Sequence, residues 1–377
     1  MIKTRIKMLK IKFIIMMALY VLTSFDTKAA DDFVIKGKYD NIQNGKKLYL
    51  HNLDLHYDVA TCVVKDGKFI FKGKTDQAYR VIIRSSTDEP NFIVSETFIL
   101  EKGEILFDSK GRDFNKAVIT GGDCNKYDLI FQDRTKGYNI AMDSIRNALK
   151  YGNKLSEEEK DAVYAKAGAL AKTREKIVKQ FLDEYPNTFK SLCLLTEPYM
   201  KLPGDSIRMY YEKLSPELQN TLKGIGLNFA LFGKVLKNGD KAELTGALTL
   251  KGNSFTLSEV KQEYIILDFT SISCGPCKIL NKELLQHYDA WKDKIEIVSF
   301  YNDTDKDQIK EYIKASNINW KVVSDFKGDL SLNVRKFNVQ GIPNIFVLDK
   351  ERKIIHHRVG FSKESDFIAG IEELIHQ

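Results

Sequence analysis

Two cysteines separated by two residues, Cys274 and Cys277, constrain this 377-residue chain more than any other feature. They follow an apolar run at 263–270 (EYIILDFT), which predicts a strand, and they open the segment 274–291 (CGPCKILNKELLQHYDAW), which predicts a helix. The first turn of a helix offers free backbone N–H groups and the positive end of the helix dipole, and both stabilise a thiolate. Two intervening residues also let the sulfurs close a small disulfide. The pattern therefore indicates thiol–disulfide exchange, with Cys274 attacking and Cys277 resolving the mixed disulfide.

The residues around this pair predict an α/β domain at 231–377. Predicted strands and helices alternate there, which is typical of a parallel sheet with helices on both faces. After the cysteine helix the predicted strands are IEIVSFY, WKVVSD, NIFVLDK and RKIIHHRVG, of which the last two are expected to form a hairpin. The predicted helices are DKDQIKEYIKA and SDFIAGIEELIHQ.

Asp268 is the candidate for proton transfer at the cysteine pair. It lies in the predicted strand six residues before Cys274, where apolar neighbours would raise its pKa and let it relay a proton for Cys277. The alternative is a carboxylate exposed at the end of the strand. A proline, Pro343, precedes a later strand within QGIPN, and local sequence alone does not determine whether its peptide bond is cis.

Four stretches, IILDFTSISCGPC, WKVVSD, GIPNIFVLD and KERKII, make residues 231–377 resemble the extracytoplasmic thioredoxin-like proteins of the TlpA/ResA type. The resemblance implies a thioredoxin-like fold that reduces, or in some members oxidises, disulfides of exported proteins, apocytochrome c among them. It also implies a cis bond before Pro343 that places the Ile342 backbone beside the cysteines for substrate docking. Neither a metal nor an organic cofactor is expected.

The resemblance also bears on the source of electrons. Gly275 and Pro276 between the cysteines favour the reducing end of the family range, although the direction in the cell stays open. A reductant outside the cytoplasm would have to be recharged by a membrane thiol-electron carrier.

Four positions depart from the family pattern. Ser273 stands where the family commonly has a tryptophan before the first cysteine, and Thr270 stands where it has an aromatic residue. Leu280 stands in place of an acidic residue, and Asn344 in place of a threonine after the proline. The proton relay then falls to Asp268, the substrate-facing surface is altered, and cytochrome maturation is not assigned as the specific role.

The first 230 residues predict two further regions. Residues 30–120 alternate between apolar and polar positions, with glycine-containing turns between the runs, which predicts an all-β sandwich or barrel. This part resembles the N-terminal β modules that precede such domains in Bacteroidetes-like bacteria. Residues 121–230 predict a helical connector. Its clearest helix begins after Ser156, with glutamates in capping-box spacing, and another begins at Ser215 with a proline in its first turn.

Residues 1–29 have the pattern of a signal peptide: a cationic start, 13 apolar residues at 13–25, and a cleavage site after Ala29. The alternative, an uncleaved membrane anchor, would need roughly 20 apolar residues. This segment carries +5 of the formal net charge of +7, so the remaining chain is nearly neutral and gives no case for nucleic-acid binding. A periplasmic location is expected.

Cys62 and Cys193 are expected to be small core residues, whereas Cys124, which follows Gly121-Gly122-Asp123, is open to either a core or an exposed place, and a Cys62–Cys124 pair stays open. A zinc site would need a second pair of ligands, which the sequence does not offer. A peroxiredoxin signature would need proline at 267 and threonine at 271, where the chain has Leu267 and Ser271.

A different class of function also stays open. The β domain would capture a partner, with the thioredoxin-like part as a scaffold. Otherwise the N-terminal region positions substrates, which are disulfide-containing exported proteins, or mediates self-association.

Overall fold

A computed structural model describes residues 32–109, 111, 113–150, 155–197, 202–362 and 366–376. The predicted signal peptide, residues 1–29, lies outside the described residues. Within them, no helix combines the length and apolarity that crossing a membrane requires. The fold is all-β at its N-terminus, helical in the middle and α/β at its C-terminus, which confirms the predicted fold class.

The N-terminal region is a β-sandwich of two four-stranded sheets. Its strands in chain order are β1 (Phe33–Lys38), β2 (Lys47–Asn52), β3 (Tyr57–Val63), β4 (Lys68–Gly73), β5 (Tyr79–Arg84), β6 (Phe98–Leu100), β7 (Gly103–Asp108) and β8 (Val118–Thr120). The sheet orders are β4-β1-β7-β8 and β3-β2-β5-β6. Alternate residues of each strand, such as Phe33 and Ile35 of β1 and Leu48 and Leu50 of β2, meet in one apolar core between the sheets.

The helical region contains six helices within the described residues. They are α1 (Asp123–Lys150), α2 (Glu157–Glu184), α3 (Phe189–Leu195), α4 (Gly204–Glu212), α5 (Pro216–Gln219) and α6 (Leu222–Phe232). The predicted cap of α2 is confirmed, because Glu159 N donates to Ser156 Oγ at 3.2 Å and Ser156 N donates to Glu159 Oε2 at 2.7 Å. The buried core lies where the start of α1 and the end of α2 meet α3 and α4.

The C-terminal domain has a six-stranded sheet. Its elements are β9 (Leu248–Thr249), β10 (Tyr264–Thr270), α7 (Gly275–Trp291), β11 (Ile295–Tyr301), α8 (Lys306–Ala315), β12 (Lys321–Ser324), α9 (Leu332–Lys336), β13 (Asn344–Leu348), β14 (Ile354–Val359) and α10 (Phe367–His376). The strand order is β14-β13-β10-β11-β12-β9.

This sheet differs from the predicted parallel sheet in two respects. Strands β10, β11 and β12 are parallel as predicted, and the predicted hairpin of β13 and β14 is present, but β13 also pairs antiparallel with β10, and β9 pairs antiparallel with β12. Helices α7 and α10 cover one face, whereas the irregular segment 236–260 and short α9 supply much of the cover on the other.

Asp54 joins the sandwich to the helical region through a buried charge. Its carboxylate accepts from Arg80 at 2.7 Å and lies 3.3 Å from Lys223 Nζ of α6, while its side chain is 2% exposed. Burial alone would raise the pKa of Asp54, but Lys223 and Arg80 together hold that pKa below its ordinary value. The carboxylate is therefore ionised and shared between two cations.

Replacing Asp54 by alanine would leave the cations of Arg80 and Lys223 without their shared anion. We expect Asp54→Ala to lower the free energy of unfolding by about 3 kcal/mol, measured by urea denaturation. The control is Asp40→Ala, because the Asp40 side chain is 62% exposed and pairs with Lys38 at the surface. That change should cost less than about 0.5 kcal/mol. Equal losses in the two variants would contradict a stabilising role for the buried charge.

Candidate active site

Cys274 and Cys277 form a disulfide at the start of α7, with their Cα atoms 5.3 Å apart. Cys274 is the N-cap residue, and Cys277 N donates to its Sγ at 3.2 Å. Pro276 lies in the first turn, where its missing N–H leaves no helical bond unmade. Cys274 is partly exposed, whereas Cys277 is fully buried. A substrate therefore has access to the first sulfur and not to the second.

Asp268 lies in β10, two residues before this strand ends. It is fully buried, and neither carboxylate oxygen has a hydrogen-bond partner within the described residues. Residues two apart on a strand share a face, and Ile266 packs in the same core cluster as Leu280 and Leu284 of α7. Asp268 thus faces the cysteine helix, and burial raises its pKa to about 7. The alternative of an exposed strand-end carboxylate is wrong.

The Ile342–Pro343 peptide bond is cis and precedes β13. The carbonyl oxygen of Ile342 lies 3.7 Å from Cys274 Sγ. Asn344 braces this turn: its Nδ2 donates to Gly341 O at 3.2 Å, and its Oδ1 lies 2.8 Å from His357 Nε2. The structure thus brings Ile342, the cysteines and Asp268 to one end of the sheet.

Asp303 is a further residue of this site, and the sequence interpretation missed it. Its two carboxylate oxygens accept from Ser271 Oγ at 2.9 Å and from Ile272 N at 3.1 Å. Ser271 O in turn accepts from Cys274 N at 3.2 Å, so the carboxylate fixes the loop that leads into the nucleophile. Burial raises the pKa of Asp303, although its hydrogen bonds oppose that shift. Its place just after the predicted strand IEIVSFY is the sequence signal, but that signal identifies Asp303 only once this strand is known to lie beside β10 in parallel.

The three remaining cysteines are free thiols. Cys62 packs against the sandwich core, whereas Cys124 and Cys193 pack against the helical core, so Cys62 and Cys124 do not pair. Burial raises the pKa of Cys62 and of Cys193 to about 11 in each case. Within the described residues, no group of three or more histidine, cysteine or acidic side chains is arranged to hold a metal ion.

Two family models match the chain. Residues 33–127 match a domain of unknown function (DUF4369), and residues 262–354 match the family described as thioredoxin-like. The C-terminal domain is thioredoxin-like, which confirms the resemblance seen in the sequence.

Among curated proteins, the chain is similar to nucleoredoxin of Xenopus laevis, with 32% identity over 26% of this chain and 24% of that protein. It spans about a quarter of the length of the nucleoredoxins it matches. It is also similar to sporulation thiol-disulfide oxidoreductase A of Bacillus subtilis, with 28% identity over 30% of this chain and 68% of that protein. Among solved structures, the thioredoxin domain of a thiol-disulfide oxidoreductase from Bacteroides vulgatus aligns at 27% identity and a TM-score of 0.33, covering 37% of this chain and 99% of that chain.

The buried carboxyl of Asp268 should make stability depend on pH. Its folded-state pKa of about 7 lies above that of an unfolded aspartate, roughly 4, so the native state loses stability as the pH rises between these values. Asp268→Asn removes this loss. We expect the variant's advantage in free energy of unfolding to grow by roughly 3 kcal/mol from pH 5 to pH 8, measured by denaturation with the disulfide intact.

The control for this comparison is Asp289→Asn on α7, because the Asp289 side chain is 77% exposed. Its stability should follow the wild-type pH curve. If the curves of Asp268→Asn and wild type ran parallel, the raised pKa of Asp268 would be refuted.

Proposed function

We propose that this protein is an exported thiol–disulfide oxidoreductase that reduces disulfides of exported proteins through Cys274 and Cys277. The observation that carries the proposal is the asymmetry of the pair at the start of α7. Cys274 is accessible and lies at the positive end of a helix dipole, whereas Cys277 is buried. That arrangement suits an attacking thiolate and a resolving thiol.

The reaction begins with the reduced pair. The Cys274 thiolate attacks one sulfur of a substrate disulfide, so that a mixed disulfide forms and the other substrate sulfur leaves as a thiolate and takes up a proton. Cys277 then loses its proton and attacks Cys274 Sγ. The second substrate thiol is released, and the enzyme pair closes into the disulfide present in this structure. Two electrons pass from the enzyme to the substrate.

Asp268 would accept the proton of Cys277 in the second step. A carboxyl with a pKa of about 7 exists in both protonation states near neutral pH, which a proton relay requires. Its position on the face of β10 that packs against α7 supports this role. Ile342 would present its backbone to the substrate segment beside Cys274, with Pro343 holding the turn.

The pattern at residues 1–29 and the resemblance to extracytoplasmic proteins support export to the periplasm. The proposed direction then requires a membrane thiol-electron carrier, because the oxidised pair must be reduced before the next cycle. Its substrates would be exported proteins that contain disulfides.

Single cysteine replacements test the roles of the pair. Cys274→Ser should abolish reduction of insulin disulfides, because no nucleophile remains to attack. Cys277→Ser should accumulate a mixed disulfide with the substrate, visible by mass spectrometry. Cys62→Ser is the matched control, since this thiol lies in the sandwich, and it should retain wild-type turnover. Full reduction of insulin by Cys274→Ser would contradict the proposal.

The reduction potential of the pair tests the direction of transfer. We expect a value near that of thioredoxin, ~−270 mV, from equilibration with glutathione or dithiothreitol buffers. A value near ~−120 mV, typical of a strong oxidant, would reverse the proposed direction.

A further inference from the structure

A cleft of about 810 Å³ separates the β-sandwich from the thioredoxin-like domain and extends along the loop that leads into Cys274. We call it the interdomain cleft. One wall is the turn 55–57 of the sandwich together with the ends of β2, β3 and β5. The opposite wall is formed by the loop 271–273, the loop 302–306 and residues 328–329.

The sandwich wall is a fixed structure. Asn52 Oδ1 accepts from Asp54 N at 2.8 Å and from Leu55 N at 3.0 Å, and His56 adopts a left-handed conformation with φ of 57°. Across the cleft, Thr304 Oγ1 donates to Leu55 O at 2.6 Å. The turn is therefore held against the thioredoxin-like domain at a defined position.

The opposite wall is continuous with the nucleophile. Asp303 holds Ser271 and Ile272 in place, and Ser273, which is exposed, is the residue directly before Cys274. A polypeptide whose sulfur reaches Cys274 has the Ile342 turn on one side and this loop on the other. Chain that continues from Cys274 along the loop 271–273 would reach the interdomain cleft, because this loop lines it.

We propose that the interdomain cleft binds the segment flanking a substrate cysteine, that the β-sandwich supplies one of its walls, and that segments carrying lysine or arginine are preferred. This inference rests on the proposed function and adds a substrate class to it. It gives the N-terminal domain a part in substrate selection.

The charges of the cleft specify the preferred substrate. Four carboxylates line it, those of Asp58, Asp303, Asp305 and Asp329, against the cations Arg84 and Lys306. Arg84 is already engaged, because its Nη2 donates to both oxygens of Asp58 at 3.0 Å.

The remaining three carboxylates accept hydrogen bonds from uncharged donors: the Ser271 hydroxyl and Ile272 N for Asp303, backbone N–H groups for Asp305, and the Asn302 amide for Asp329. A cationic segment complements the excess of negative charge. On the sandwich wall, Tyr57 is 37% exposed, so a cation bound there would lie beside an aromatic ring.

The test uses purified protein, with dithiothreitol as the electron donor and its uncatalysed rate subtracted, and two peptides, each closed by one disulfide and identical except that lysines or glutamates flank the cysteines. Bis(2-hydroxyethyl) disulfide, which is small and neutral, is the reference substrate for every variant. Wild type should show a kcat/KM about tenfold higher for the lysine peptide than for the glutamate peptide at low salt. High salt should make this ratio smaller.

Two variants address the two walls. Asp305→Asn/Asp329→Asn should lower the lysine preference about fivefold, because asparagine keeps the cap of α8 while the charges are lost. Tyr57→Ala should raise KM for the lysine peptide about threefold relative to the reference substrate. Asp161→Asn and Tyr164→Ala, both exposed on α2 outside the cleft, are the matched controls and should behave as wild type.

The outcomes separate the two proposals. If wild type reduces the neutral disulfide but treats both peptides alike, or if the double variant keeps the full preference, the cleft inference is overturned while the proposed function stands. If wild type reduces no disulfide at all, the proposed function fails and the inference fails with it.

Discussion

The site depends on the central place of β10 in its sheet. This strand pairs with β11 in parallel and with β13 in antiparallel orientation. The parallel pairing brings the end of β11, followed by Asp303, to the same edge as the loop before Cys274. The antiparallel pairing sets Asn344 opposite Phe269, so the turn at Pro343 arrives at that edge from the other side. One strand therefore aligns the nucleophile, its supporting carboxylate and the substrate-facing turn.

How much of this the sequence predicts depends on the range of the interactions. The capping box at Ser156, the cysteine spacing and the apolar run of β10 are local, and each was predicted correctly as structure. The role of Asp303 was not, because it requires knowing which strand lies beside β10. The antiparallel edge strand β9 is two residues long, too short to leave a periodic pattern. Segment 236–260, which covers one face of the sheet, is otherwise irregular, so its sequence has no hydrophobic periodicity from which to predict it.

Asp268 illustrates a conflict between stability and chemistry. An unpartnered carboxyl in a buried strand is unfavourable to folding, and an apolar side chain would pack there at lower cost. Thr270 and Tyr301, paired across β10 and β11, also bury oxygens without a hydrogen-bond partner in the described part of the chain. Such local exceptions to an otherwise apolar core are expected at functional sites, where the requirements of reaction override those of packing.

The three free thiols have a practical consequence. Cys62 belongs to the β-sandwich, whereas Cys124 and Cys193 belong to the helical core. Their raised pKa values keep them as slowly reacting thiols while these regions stay folded. With Cys274 and Cys277 held as a disulfide, a thiol-alkylating mass tag would mark each region faster when it opens than while it stays folded. The chain thus carries native probes with which local unfolding of its two N-terminal regions can be timed separately.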